Sequence, residues 1–118
     1  MIKNCFMSEQ PDFKKEVLYK KEKLATIKAL TTRDWADISR ATIINQKLDD
    51  NGELDVTENG FLTVLYMVWK SLDTWVFDKP ITLDNVNDLS PKLLAHLYKE
   101  VSEHEDEFKK NFEDISKN

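Results

Sequence analysis

Glycine and proline are scarce: the 118 residues hold two Gly and three Pro. That is too few for the closely spaced turns of an all-β sandwich or barrel, and Gly52 and Gly60 alone cannot build a glycine-rich phosphate loop. The one cysteine, Cys5, allows neither an internal disulfide nor a thiolate metal site, and fits a reducing cytoplasm. No apolar run approaches the roughly 18 residues of a membrane span, and the first residues lack a signal-peptide pattern. What is present, 41% hydrophobic and 33% charged residues, predicts a soluble globular domain in which helices dominate.

The net charge of −5 hides a split. Residues 1–33 carry eight Lys or Arg against four acids, whereas residues 34–118 carry nine against eighteen, so +4 is set against −9. Lys14, Lys15, Lys20, Lys21 and Lys23 have the composition of a nucleic-acid patch, but the acidic remainder would repel a phosphate backbone. A solvated edge that lysines protect from strand-to-strand sticking is the favoured reading, and no nucleic acid is expected as a partner.

Residues 1–12 show no sustained period and read as a flexible lead-in to a single domain over residues 13–118. Val17 and Tyr19, then Ala25, Ile27 and Ala29, alternate with polar neighbours, which fits a short hairpin. A helix is the alternative there, because the loop lacks an Asn-Gly or Asp-Gly pair. Thr31 or Thr32 then caps a first helix from about Arg33 to Lys47, with Trp35, Ile38, Ala41 and Ile44 facing inward and Leu48 closing the stripe. The spacing predicts a second, central helix capped by Thr57, stapled by Val56 and Phe61, and fraying near Asp73. Trp75, Val76 and Phe77 then form a plug. Thr82 caps a short helix, and Ser90, followed by Pro91 at the first helical position, caps a last one to about Ile115.

On that last helix Leu94, Val101, Phe108 and Ile115 recur every seven residues. Such a repeat packs along another helix, within the chain or across the boundary of a homo-oligomer. At about 1.5 Å per residue the stripe outruns a small domain, so its far end is expected to protrude. Phe108, Phe112 and Ile115 are therefore candidate partner-binding residues, with closure of the core beneath the hairpin as the competing use. Trp75 is a fourth candidate, since Trp35 and Trp69 fall on core stripes.

Catalytic and metal chemistry find little purchase. Gly52 as the sixth position of a calcium loop puts Asp49, Asn51 and Glu58 at ligand positions, but Lys47 stands where the first carboxylate belongs. His96 and His104 are two helical turns apart and do not share an ion within one chain. His104, amid Glu100, Glu103, Glu105 and Asp106, reads as part of a solvated acidic face. No serine or cysteine has the context of a nucleophile. Neither an enzyme nor a cofactor is expected.

Three runs carry a resemblance: Ser71–Phe77 (SLDTWVF), Pro80–Val86 (PITLDNV) and Leu89–Leu94 (LSPKLL), with Ile27–Thr31 (IKALT) before them. Together they resemble the tail assembly chaperones of long-tailed bacteriophages. The resemblance implies a non-enzymatic protein of the host cytoplasm. Its role would be to keep the long, aggregation-prone tape measure protein soluble during tail assembly, and a longer frameshifted form would contact the tail tube protein. Trp75, Ile81, Leu89, Pro91 and Leu94 would then be fold determinants. The alternatives are a small structural or adaptor protein of the phage particle, or a degenerate calcium module over Lys47–Glu58. The fold expected is mainly α, a small helical domain with at most a short N-terminal β-hairpin.

Overall fold

The computed structural model describes residues 6–48, 51, 54–58 and 60–116, with side chains over 6–43, 51 and 60–110. Strands β1 (Lys14–Tyr19) and β2 (Glu22–Lys28) form the N-terminal hairpin, and the capped helix α1 (Thr32–Thr42) follows. A second hairpin is made of β3 (Ile43–Leu48) and β4 (Leu54–Glu58). Helix α2 (Gly60–Ser71) runs directly into β5 (Leu72–Trp75), and α3 (Leu83–Asn87) and α4 (Pro91–Ser116) complete the chain.

The mainly α expectation is corrected to an α+β fold. Strand β2 lies at the centre of an antiparallel sheet of order β1-β2-β5, and β3–β4 forms a separate two-stranded sheet. Local spacing missed β5 because four residues carry too little period, and the strand exists only by pairing with β2 some fifty residues earlier (Ala25 with Trp75, Thr26 with Thr74). Helix α1 ends five residues earlier than its pattern predicts. Thr42, Ile43 and Ile44 are β-branched and favour extended backbone, so Ile44 and Leu48 lie on β3 rather than on a helical stripe. Thr57 is likewise a residue of β4 paired with Asn45, not a helix cap.

Where the chain's own capping chemistry decides, the expected starts hold. Thr31 Oγ1 accepts the Asp34 N–H at 3.2 Å while Asp34 Oδ2 accepts the Thr31 N–H at 3.0 Å, a reciprocal box. Thr82 Oγ1 accepts from Asn85 N–H, and Ser90 Oγ from Leu93 N–H. The hairpin turn is closed by Lys20 and Lys21, both with positive φ (52° and 70°). This is the primed two-residue geometry normally left to Asn-Gly, adopted here by residues that give no sequence signal for it.

Helix α2 touches α1, α3 and α4, and α4 lies against β1. The main core is shared by Val17, Ile27, Leu65, Val68, Val86 and Leu97, all buried. The outer edge of β1 is tied down by α4 at one-turn intervals. Near its start His96 Nε2 meets the Leu18 carbonyl at 2.7 Å. One turn on, Glu100 pairs with Lys15 at 3.1 Å, and another turn on His104 Nε2 meets the Phe13 carbonyl at 3.0 Å. A carbonyl only accepts, so both imidazoles donate from Nε2. Lys14 pairs with Asp73 across the sheet at 3.2 Å, so two of the five clustered lysines already face carboxylates.

Candidate partner-binding surface

The starts of α2 and α4 lie side by side and leave a furrow between them. Phe61 and Val64, one turn apart, wall it from α2, and Pro91, Leu94, Ala95 and Tyr98 wall it from α4. Leu89 closes one end, and the cleft measures about 340 Å³. Phe61 is 62% exposed at its rim. On the α4 side the Ser90 cap sets where the helix begins, since Ser90 Oγ accepts the Leu93 N–H. Residues three and four apart then line the same side of each helix.

Leu89 is also a wall of a second cleft, about 330 Å³, which includes Trp75, Phe77, Lys79 and Asn85. Trp75 is half-buried, its indole N–H donates to the Lys79 carbonyl at 2.7 Å, and its ring meets Phe77 edge-on at 5.4 Å. Val76 and Phe77 are exposed rather than plugged into the core. Asn85 Nδ2 donates to the Pro80 carbonyl at 2.9 Å and holds the connecting loop in place. The two clefts meet at Leu89 and form one strip, mostly apolar in the first cleft and mixed in the second, where Asp78, Lys79, Asn85 and Asp88 stand with Trp75 and Phe77.

Of the two candidate residues whose side chains are described, Trp75 and Phe108, only Trp75 stands on this strip. Phe108 is 3% exposed and packs edge-on against Phe13 at 6.1 Å, with Ala29 and Met7 around it. It closes a small core beneath the hairpin and is withdrawn as an exposed partner contact. Residues 6–12, expected to be loose, contribute to that closure through Met7 and the buried Gln10. The side chains of Phe112 and Ile115, and the whole of Cys5, lie outside the described residues. His104 is buried against the Phe13 carbonyl, not solvated among its acidic neighbours. Trp35, expected in the core, is 40% exposed, while Trp69 is half-buried against the main core and meets Tyr66 edge-on. Spacing alone missed Phe61, Ala95 and Tyr98 as surface lining, although each lies within one turn of a residue it had selected.

The calcium reading fails on its frame. A calcium loop of this type needs helices on both sides, and Lys47 and Asp55 are instead paired residues of an antiparallel hairpin. Among the described residues no three His, Cys, Asp or Glu side chains are grouped to hold a metal ion. No helix of the described residues is long and apolar enough to cross a membrane. A comparison with family models, curated proteins and solved structures finds no match for this chain.

Proposed function

We propose that this protein is a non-enzymatic assembly chaperone of a phage tail, working in the host cytoplasm, that holds a long helical partner, the tape measure protein, in solution. One observation carries the reading. Leu89, Pro91 and Leu94, three residues of the family resemblance, line one open apolar furrow with Phe61 and Tyr98, and Trp75, a fourth, stands on the adjoining cleft. A furrow walled by two helices, with side chains spaced three and four apart, is shaped to take the apolar ridge of a third helix. The 22 acidic residues keep a chain with such an exposed strip dispersed while it waits for its partner.

The test is co-expression with the tape measure protein, followed by pull-down and light scattering. A soluble complex is expected where the partner alone is insoluble. The double variant Phe61→Ser, Ala95→Glu alters two exposed positions and should remove co-elution while the circular dichroism spectrum is kept. Equal solubility of the partner without this chain, or an undiminished complex with the double variant, rejects the reading.

A further inference from the structure

A second groove, sharing no residue with the strip just described, lies between the first turn of α1 and the later half of α4. Its volume is about 530 Å³, within the usual range for a binding cleft. Leu30, Met67 and Phe108 line it and are buried, while Trp35 stands exposed at the wall. From α4, Ser102, Glu105, Asp106 and Lys109 line it at intervals of three, one and three, one face of a helix. From α1, Thr32 and Trp35 do the same.

Glu105 sets the chemistry. It accepts the backbone N–H of Leu30, so it is held in position where the chain passes from β2 to α1. Burial pushes its carboxyl above the ordinary glutamate range, the Leu30 N–H and His104 oppose that rise, and Asp34 and Asp106 add to it. Lys109 lines the same groove one turn further on, but among the described residues no Lys or Arg, Lys109 included, stands within ion-pair distance of Glu105. A half-buried carboxylate without a cation at that distance, set among apolar walls beside an exposed tryptophan, is complementary to an apolar surface that carries one positive charge.

We propose that this groove docks an amphipathic helical segment of a partner protein, with a Lys or Arg inside its apolar stripe placed against Glu105 and the stripe resting on Trp35. Two helical rows bound the groove, so a third helix lies between them more readily than an extended strand would. Arg suits the position better than Lys, because its planar head meets a carboxylate with two hydrogen bonds. The inference does not need the partner to be the tape measure protein.

The experiment uses the full chain and labelled helical peptides of about 18 residues, long enough to hold helix in solution. A panel varies the apolar stripe among Leu, Ile and Met, and each peptide is made with a central Arg or with uncharged citrulline of the same shape. Fluorescence anisotropy should give at least about tenfold tighter binding for the Arg member of a pair, the scale of one charge-assisted contact. Glu105→Gln keeps an acceptor for Leu30 and should erase that preference, and Trp35→Ala should weaken both members alike. The Phe61→Ser, Ala95→Glu variant removes only binding at the other furrow and should keep the Arg preference undiminished, which separates this groove from the proposed chaperone surface. The inference is overturned if no peptide binds, if the Arg preference survives Glu105→Gln, or if Phe61→Ser, Ala95→Glu removes it. Self-association abolished by Trp35→Ala would give the groove to a second copy and equally reject the partner helix.

Discussion

The furrow at Leu89 and the groove at Glu105 lie along the same helix but rest on different supports. The first is walled by α2 and the start of α4, elements joined by a short stretch of chain that carries its own caps. The second depends on residues near the N-terminus lying down on the far half of α4. The Leu30–Glu105 and Phe13–His104 hydrogen bonds close loops of 75 and 91 residues. Contacts between distant parts of a chain cost more loop-closure entropy and are more easily lost one at a time than contacts inside a compact local unit. A protein with both surfaces can therefore keep one while the other opens.

The strongest way to part them is to remove the packing that holds the second. Phe108→Ala deletes the ring on which Phe13, Ala29 and Met7 converge, and should cost about 3–5 kcal/mol in urea unfolding. Hydrogen exchange should show the Ala29 amide, which donates to the Phe13 carbonyl, losing protection ahead of the Leu94 amide, which donates to Ser90. Equal loss at both amides would mean that the two surfaces open as one unit.

A smaller and more selective effect comes from the caps. Thr31→Ala and Ser90→Ala each remove one side-chain acceptor from a helix start, and each should cost about 1 kcal/mol. The first loosens the turn that carries Trp35 and Asp34, and should weaken Arg-peptide binding more than it alters the Leu89 furrow. The second should do the reverse. Matching losses of stability with exchanged losses of binding are the expected pattern. If both caps affect both surfaces equally, α1 and α4 are not separately adjustable.

The same contrast governs what could be read before the fold was known. Thr31, Thr82, Ser90 and Pro91 act within three or four residues of themselves, so their helix starts were legible, and so was the hairpin from the alternation of Val17, Tyr19, Ala25 and Ile27. Of the strip at Leu89 only Trp75 was legible as a surface residue, since Leu89 and Leu94 were read as fold determinants and Phe61 as a helix staple. The Glu105 groove was not legible at all. His104 and Glu105 stand in a run of acids that looks solvated in one dimension, and only the return of Phe13 and Leu30 across the fold buries them. Strand β5 was hidden for the same reason, because its partner β2 is remote.

The smallest effect expected is also the one that tests the electrostatic half of the contrast. Burial raises the Glu105 carboxyl above its value in the unfolded chain, so the folded state holds a proton that the unfolded state has already released. In that window stability falls as pH rises. Below the unfolded value both states are protonated and Glu105 exacts no penalty, and above the raised folded value the penalty is complete. Urea midpoints of the native chain measured against Glu105→Gln should therefore favour the native chain most at the acid end, and the difference should shrink or reverse toward neutral pH. His104, Asp34 and Asp106 act on the same carboxyl, so the slope is read as the difference between the two proteins. Arg-peptide binding should move the opposite way, tightening as Glu105 ionises, because the peptide's cation supplies the ion-pair partner that Glu105 lacks within the fold. Binding of apolar helices to the Leu89 furrow, walled by apolar side chains, should show no such trend. A stability difference that instead grows with pH would mean that the Leu30 N–H and His104 hold the charged form more firmly than burial opposes it. The groove would then be settled as an anion without a partner, and the case for an external cation would fall with it.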